Sequence, residues 1–285
     1  MSNKIIALID GSTYGKSVCE LAAWVAARTG RSVEVLHVLG RRDVSSHPTD
    51  FSGNLTIDER DNLLSELVSL DEQKAKLAHK RGRLILDQAT ECLKQAGLTG
   101  FSTKLRNGDL LDTVREFETD ADLIVIGKRG EAADFAKLHL GSNLERVVRV
   151  AHKPVLVAAR AFKPIERVMI AFDGGASSMK AVSHITTGSL FKGLPLHLLM
   201  AGTETREAKE QVAQASGLLE KAGYAVEARV LPGEADAVIA REVQDRQIDF
   251  LVMGAYGHSR LRNLIIGSTT TEMIRSCKVP ILLFR

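Results

Sequence analysis

The fold can be read outward from one stretch, Phe250-Leu-Val-Met-Gly-Ala-Tyr-Gly257, in which four apolar residues run directly into two glycines. A short apolar run of this kind is typical of a buried parallel strand. Nine residues later, Gly267-Ser268-Thr269 opens a helical pattern, with Thr269 and Glu272 spaced as a capping box. The first amides of a helix lack intrahelical partners and carry the positive end of its dipole, so they attract anions. The stretch therefore predicts a strand, a glycine-rich loop and a helix that together hold a phosphate chain.

The same arrangement occurs twice in the chain. Asp10-Gly11-Ser12 and Asp173-Gly174-Gly175 each follow a short apolar run, and Gly141-Ser142 precedes a helical pattern as Gly267-Ser268 does. The other strand-like runs also have counterparts. The runs 33–38, 101–105, 123–126 and 153–157 match 196–200, 226–230, 250–253 and 279–283, respectively. Strands that alternate with helices predict a parallel sheet with helices on both faces. We therefore predict an α/β protein with two tandem open, mostly parallel five-stranded sheets, in domains of residues 1–160 and 161–285.

Composition places the chain among ordinary soluble globular proteins, with 45% apolar and 26% charged residues. A net charge of +3 is too small to indicate a nucleic-acid partner, and no apolar run approaches the roughly 20 residues of a membrane span. Ile5–Ile9 follows Met1 so closely that we expect no signal peptide. Cys19, Cys92 and Cys277 are odd in number and far apart, which favours small buried side chains in a cytoplasmic protein over disulfides or a metal site.

A leucine-rich segment interrupts the first repeat. A polar loop over 41–56 leads into a helical pattern from Ile57 to Ala96, with a break expected near Leu70-Asp71. Because its apolar spacing does not hold an unbroken heptad, we expect a packed helix or hairpin rather than a coil that binds a partner.

The chain resembles the universal stress protein family in a tandem two-domain form. The resemblance covers nearly the whole chain apart from the insert at 57–80, and it rests on Asp10-Gly11-Ser12, on His37-Val38 and on the glycine pattern. In nucleotide-binding members that pattern is Gly, two residues, Gly, nine residues, Gly, Ser or Thr, and the second repeat matches it with Gly254, Gly257, Gly267 and Ser268. The resemblance implies a Rossmann-like fold of the adenine nucleotide alpha hydrolase type that binds ATP.

The resemblance also implies where the nucleotide lies. It places adenine near Ala171, Phe172, Asp173 and Met200. Ribose and phosphates would contact residues on either side of the second-repeat loop, namely Met253, Gly254, Tyr256, Gly257, Gly267, Ser268, Thr269 and Thr270. Mg²⁺ would be bound through the phosphates, with no metal ligand from the protein. The corresponding residues of the first repeat are Asp10, Val38, Gly127, Gly130, Gly141 and Ser142.

The two repeats differ in ways that favour the second as the nucleotide site. Ten residues separate Gly130 from Gly141, and that loop carries the acids Glu131 and Asp134. The second-repeat loop, 258–266, has Arg260 and Arg262 and no acid, and acids near phosphate are repulsive. We therefore predict ATP in the second domain and a weaker or degenerate site in the first.

Structural roles are open for several of these residues. Asp10 and Asp173 could be turn residues with no ligand, and His37 is expected to pack or bond locally. Asp173 is followed by Gly174-Gly175 where the family usually has Gly-Ser, which leaves helix capping to Ser177 or Ser178.

The leading functional hypothesis is a cytoplasmic ATP-binding regulatory protein of the stress response, with a regulatory protein as partner. It has no Walker lysine, and we expect no enzyme beyond slow ATP hydrolysis or autophosphorylation at Ser268, Thr269 or Thr270. A nucleotide-independent scaffold with vestigial sites is the alternative. An ATP pyrophosphatase is disfavoured because no Ser-Gly-Gly-type loop follows the first strand. The fifth strands are expected at sheet edges, which tend to be paired or covered. The family resemblance implies that they join the two domains as an internal pseudo-dimer and that the whole chain can form a homodimer.

Overall fold

The computed structural model describes residues 4–40, 57–130, 142–255 and 266–285. Its strands are β1 Lys4–Leu8, β2 Ser32–Leu39, β3 Phe101–Asn107, β4 Ala121–Gly127, β5 Val155–Ala158, β6 Val168–Ala171, β7 Leu196–Ala201, β8 Val226–Leu231, β9 Phe250–Gly254 and β10 Ile281–Phe284. Its α-helices are α1 Gly15–Thr29, α2 Ile57–Gln95, α3 Leu110–Phe117, α4 Ser142–Val150, α5 Ala176–Thr187, α6 Arg206–Lys221, α7 Ala235–Asp245 and α8 Ser268–Ser276.

The described strands form one continuous sheet in the order β3-β2-β1-β4-β5-β10-β9-β6-β7-β8. Each half has the same internal order, and its strands are parallel as predicted from the alternating pattern. The two predicted sheets are joined because β5 and β10 pair antiparallel, with Leu156 opposite Leu282. This is the contact expected of the fifth strands, and it leaves β3 and β8 as the outer edges.

Helices cover both faces of this sheet. Buried residues of α1, α2, α5 and α6 form one core layer, and those of α3, α4, α7 and α8 form the other. Trp24 from the first half stacks near Phe191 and Phe250 of the second, with ring centroids 6.5 and 5.9 Å away. Ser189 donates to the Arg28 carbonyl oxygen at 2.9 Å. The two halves therefore share one hydrophobic core as well as one sheet.

Helix α2 differs from the sequence prediction in two respects. It runs unbroken from Ile57 to Gln95, so the break expected near Leu70 is wrong; no glycine or proline occurs there to cause one. The helix packs only along its last part, where Leu86 and Leu93 are buried. Its earlier part does not pack as expected, since Leu77 is 67% exposed.

Candidate nucleotide site

The predicted adenine residues meet where strand β6 lies between β7 and β9. Ala171, the last residue of β6, is opposite Leu199 of β7 on one side and Met253 of β9 on the other. The amide of Phe172 then donates to the Leu199 carbonyl oxygen at 2.8 Å. The chain passes from β6 to β7 while β9 pairs on the opposite side, so the strand order reverses here. In open parallel sheets this reversal opens a crevice at the carboxyl edge, where ligands bind.

Asp173 is held in a fixed orientation just beyond this strand end. Its Oδ1 accepts a hydrogen bond from the Gly175 amide at 2.9 Å and another from the Ser178 hydroxyl at 2.6 Å. The Ser178 side chain is buried and also donates to the Gly175 carbonyl oxygen. Ser178 therefore orients Asp173 instead of capping the helix. The turn role that the sequence left open for Asp173 is present, with its side chain exposed at the crevice.

The end of β9 and the start of α8 are clamped together. The buried Thr270 hydroxyl donates to the Gly254 carbonyl oxygen at 3.0 Å, and the Gly267 amide donates to that of Ala255 at 3.1 Å. These two bonds bring the first turn of α8 to the carboxyl edge of the sheet. Thr270 therefore holds the helix to the strand through the hydroxyl that was predicted to contact the ligand.

The first turn of α8 is arranged as an anion site. Its N-cap residue is Gly267, and no side chain of the described residues caps the helix. The predicted capping box at Thr269 is wrong because Thr269 already lies inside the helix. Ser268 is exposed and Thr269 is half-buried. The amides of this turn and the positive helix dipole therefore face the carboxyl edge without a side-chain acceptor from the described chain.

In the first half, Tyr14 packs against the end of β4. Tyr14 is buried, and a Cβ atom built on Gly127 at the end of β4 would lie 2.7 Å from the Cβ atom of Tyr14. Beside it, a Cβ atom on Gly130 would lie 2.9 Å from Asp10 Oδ2, while Asp10 Oδ1 accepts the Ser12 amide at 3.0 Å. Tyr14 and Asp10 therefore lie close to Gly127 and Gly130, two of the predicted site residues of the first half.

The loops that lead into α1 and α5 differ in length. Helix α1 begins five residues after Asp10, with Tyr14 as its N-cap. Helix α5 begins three residues after Asp173, with Gly175 as its N-cap. The shorter loop thus places a residue without a side chain where the first half has an aromatic ring. The predicted cause of a weaker first-half site, the loop acids Glu131 and Asp134, lies outside the described residues.

Comparison with known proteins agrees with this architecture. The model of the universal stress protein family matches residues 1–159 and 193–285. The chain belongs to the universal stress protein family. A universal stress protein of Synechocystis is 39% identical over 99% of both chains, and one of Mycolicibacterium smegmatis is 21% identical over 99% of this chain and 96% of the relative. The crystal structure of a universal stress protein from Archaeoglobus fulgidus shares the fold, with a TM-score of 0.73, 19% identity and coverage of 100% of this chain and 99% of that one.

The remaining predicted site residues of this universal stress protein divide into two groups. Val38 is half-buried near the end of β2, and Ser142 begins α4. Tyr256, Gly257 and Gly141 lie outside the described residues, so their predicted contacts stay predictions. The buried His37 bonds locally as expected, with its Nδ1 2.9 Å from the Ile9 carbonyl oxygen.

Two contacts near the strand ends, Gly174 with Gln211 and Lys128 with Cys277, were not predicted from the sequence. A Cβ atom on Gly174, which has a φ of +74°, would lie 2.5 Å from Gln211 Oε1, so α6 reaches the loop after β6. Lys128, between the two glycines of the first half, donates to the Cys277 carbonyl oxygen at 2.9 Å. Burial lowers the pKa of Lys128 to about 8. The local sequence does not predict the hydrogen bond between Lys128 and Cys277, which are 149 positions apart, because this bond depends on the pairing of the two halves.

The described residues contain neither a cluster of potential metal ligands nor a membrane-spanning helix. Over 4–40, 57–130, 142–255 and 266–285, no three His, Cys, Asp or Glu side chains are grouped so as to hold a metal ion. Within the same ranges, no helix is both long and apolar enough to cross a membrane.

Proposed function

We propose that this universal stress protein binds ATP at the carboxyl edge of its second half and acts as a nucleotide-dependent regulatory protein of the stress response. The observation that carries the proposal is the start of α8. Gly267 caps it without a side chain, and hydrogen bonds from Thr270 and Gly267 hold it against the end of β9. A helix start that no side chain of the described residues caps, beside a crevice between parallel strands, is suited to phosphate.

The described residues suggest where the phosphates and the adenine lie along the crevice. The phosphates lie against the first-turn amides of α8, beside the exposed Ser268 and the half-buried Thr269. Adenine lies toward β6 and β7, near Asp173 and the buried side chain of Met200. The family resemblance supports the same division, and Mg²⁺ is bound through the phosphate oxygens.

We propose binding without efficient turnover. Phosphoryl transfer requires a residue that orients the attacking water and groups that neutralise the developing charge. Asp173, the carboxylate assigned to this site, accepts hydrogen bonds from Gly175 and Ser178, which suits a positioning role. Nucleotide occupancy then acts by changing the surface at the carboxyl edge of the second half, which a regulatory protein contacts in the cytoplasm.

The duplication supplies a matched pair of variants for a test. Asp173→Ala and Asp10→Ala each remove a carboxylate whose Oδ1 accepts a backbone amide two residues later. By isothermal titration calorimetry with Mg-ATP, we expect one ATP per wild-type chain and the same for Asp10→Ala. We expect Asp173→Ala to bind at least about tenfold more weakly, or about 1.4 kcal/mol.

Three outcomes would contradict the proposal. Equal losses in the two variants would show that the turn, and not the second-half crevice, governs binding. Loss in Asp10→Ala alone would assign the nucleotide to the first half. An absence of ATP binding by the wild-type chain would favour the nucleotide-independent scaffold.

A further inference from the structure

Helix α2 extends well beyond the domain that anchors it. From residue 61 to residue 81 every residue is half-buried or exposed, and the first buried position is Gly82. There the helix crosses the sheet edge so closely that a Cβ atom on Gly82 would lie 2.7 Å from Leu105 and 3.1 Å from His37. At about 1.5 Å per residue, the projecting part is roughly 32 Å long.

A stripe of leucines runs along the projecting part. Its members recur every seven residues and are hereafter the leucine stripe: Leu63, Leu70, Leu77 and Leu84. Leu70, Leu77 and Leu84 are 49%, 67% and 55% exposed. At about 100° per residue, Leu84 lies roughly 160° around the helix from the buried Leu86, so the stripe faces away from the domain.

The charges on the same part of α2 are segregated. Residues 61–73 carry four acids and no base: Asp61, Glu66, Asp71 and Glu72. Residues 74–83 carry five bases and no acid: Lys74, Lys76, Lys80, Arg81 and Arg83. An acidic segment is therefore followed directly by a basic segment of similar length, and the leucine stripe spans both.

We propose that the leucine stripe pairs with the same stripe of a second copy of this chain, with the two helices antiparallel. The pairing places Leu70 against Leu77 of the second copy and Leu63 against Leu84 of the second copy. Its centre lies between positions 73 and 74, which is also where the charge changes sign. In this register each acidic segment lies beside a basic one. A parallel pair would place like charges side by side, which is unfavourable.

The charge pattern favours a second copy of this chain as the partner. When two such helices lie antiparallel, the acidic segment of each lies beside the basic segment of the other. The stripe has one leucine per heptad, with Glu66, Gln73 and Lys80 at the intervening positions that an ordinary coiled coil fills with apolar residues. The seam is therefore narrow, and charge supplies both the orientation and part of the affinity. Association should weaken as salt rises, since surface charges are screened.

Pairing through the leucine stripe can be tested by measuring the molar mass of the wild-type chain and of variants with reversed charges. By size-exclusion chromatography with light scattering, we expect the mass to rise with concentration toward about 62 kDa, twice the 31.0 kDa of the chain. An all-basic variant changes the four acids of 61–73 to Lys, and an all-acidic variant changes the five bases of 74–83 to Glu. We expect each alone to be monomeric at concentrations where the wild-type chain is a dimer, and an equimolar mixture to form a 1:1 dimer. Recovery in the mixture requires that both variants fold.

Cysteine crosslinking tests the orientation. In the antiparallel pair Gln73→Cys lies next to its own copy, whereas Asn62→Cys is about 35 Å from its own copy, from 23 residues at 1.5 Å each. We expect mild oxidation to give covalent dimers from Gln73→Cys and only the wild-type background from Asn62→Cys.

The proposal is overturned if the wild-type chain stays monomeric at all concentrations, or if the mixed variants do not pair. It is also overturned if Asn62→Cys crosslinks as well as Gln73→Cys, which indicates parallel helices. A dimer in which neither cysteine crosslinks would assign the interface to another surface and overturn it equally.

Discussion

Replacing Thr270 with Val separates a structural role of this residue from ligand binding. Valine has nearly the same shape but lacks the hydroxyl that donates to the Gly254 carbonyl oxygen at 3.0 Å. Thr270 is buried, so valine also leaves that acceptor without this partner. Such a loss costs about 1–3 kcal/mol, and since Gly254 is only half-buried we expect about 1–2 kcal/mol. For a chain of this size that lowers the melting temperature by roughly 2–3 °C.

The assay is urea and thermal unfolding followed by circular dichroism, with two controls. Thr270→Ser keeps the hydroxyl and loses one buried methyl group, at about 0.8 kcal/mol. Thr186→Val removes a hydroxyl that donates to the Ser183 carbonyl oxygen at an exposed site, and it should change stability by less than about 0.5 kcal/mol. If Thr270→Val is as stable as the wild-type chain, the hydrogen bond from Thr270 to Gly254 does not stabilise the fold as argued. A loss of ATP affinity with unchanged stability would make the hydroxyl a phosphate ligand instead.

Two further predictions concern the loops. Lys128→Met should change how stability depends on pH: the folded-state pKa of Lys128 is about 8 against an ordinary 10.5, so the unfolded chain binds the extra proton between these values and wild-type stability rises with pH there. Allowing for partial exposure, we expect the free energy of unfolding of the wild-type chain, measured in urea, to rise by about 1–2 kcal/mol more than that of Lys128→Met between pH 7.5 and pH 10. The exposed control Lys180→Met should follow the wild-type pH dependence. If Lys128→Met also follows it, the burial argument is contradicted. Gly174→Ala and Gly30→Ala should each cost about 1 kcal/mol in thermal unfolding, because both glycines have φ near +70° and the methyl at Gly174 meets only the movable end of the Gln211 side chain; a clearly larger loss at Gly174 would show that Gln211 cannot move away.

The sequence was sufficient for the repeat and the parallel strands, because both depend on local patterns. Short apolar runs that end in Asp-Gly or Gly-x-x-Gly mark the carboxyl ends of strands, and residues at these ends necessarily share one edge of the sheet. This is why Ala171, Met200, Met253 and Gly254 come together as predicted. The pairing of β5 with β10 was implied by the family resemblance, and it covers two sheet edges that would otherwise be exposed.

The errors and omissions depend on packing between distant segments. The capping box at Thr269 failed because the helix begins two residues earlier than the spacing suggested, where the Gly267 amide bonds to Ala255. The contact between Tyr14 and Gly127 was not predicted, because it depends on a loop two residues longer than its counterpart. Leu77 was expected to pack because leucines usually do, but its exposure is visible only once the anchor point at Gly82 is known.

A crystal structure with a non-hydrolysable ATP analogue and Mg²⁺ tests the central claim most directly. We expect a single nucleotide per chain, with the triphosphate against the first-turn amides of α8 and the adenine near Asp173 and Met200. A nucleotide beside Tyr14, or clear density for the protein with no nucleotide at α8 under saturating ligand, would contradict the proposed site.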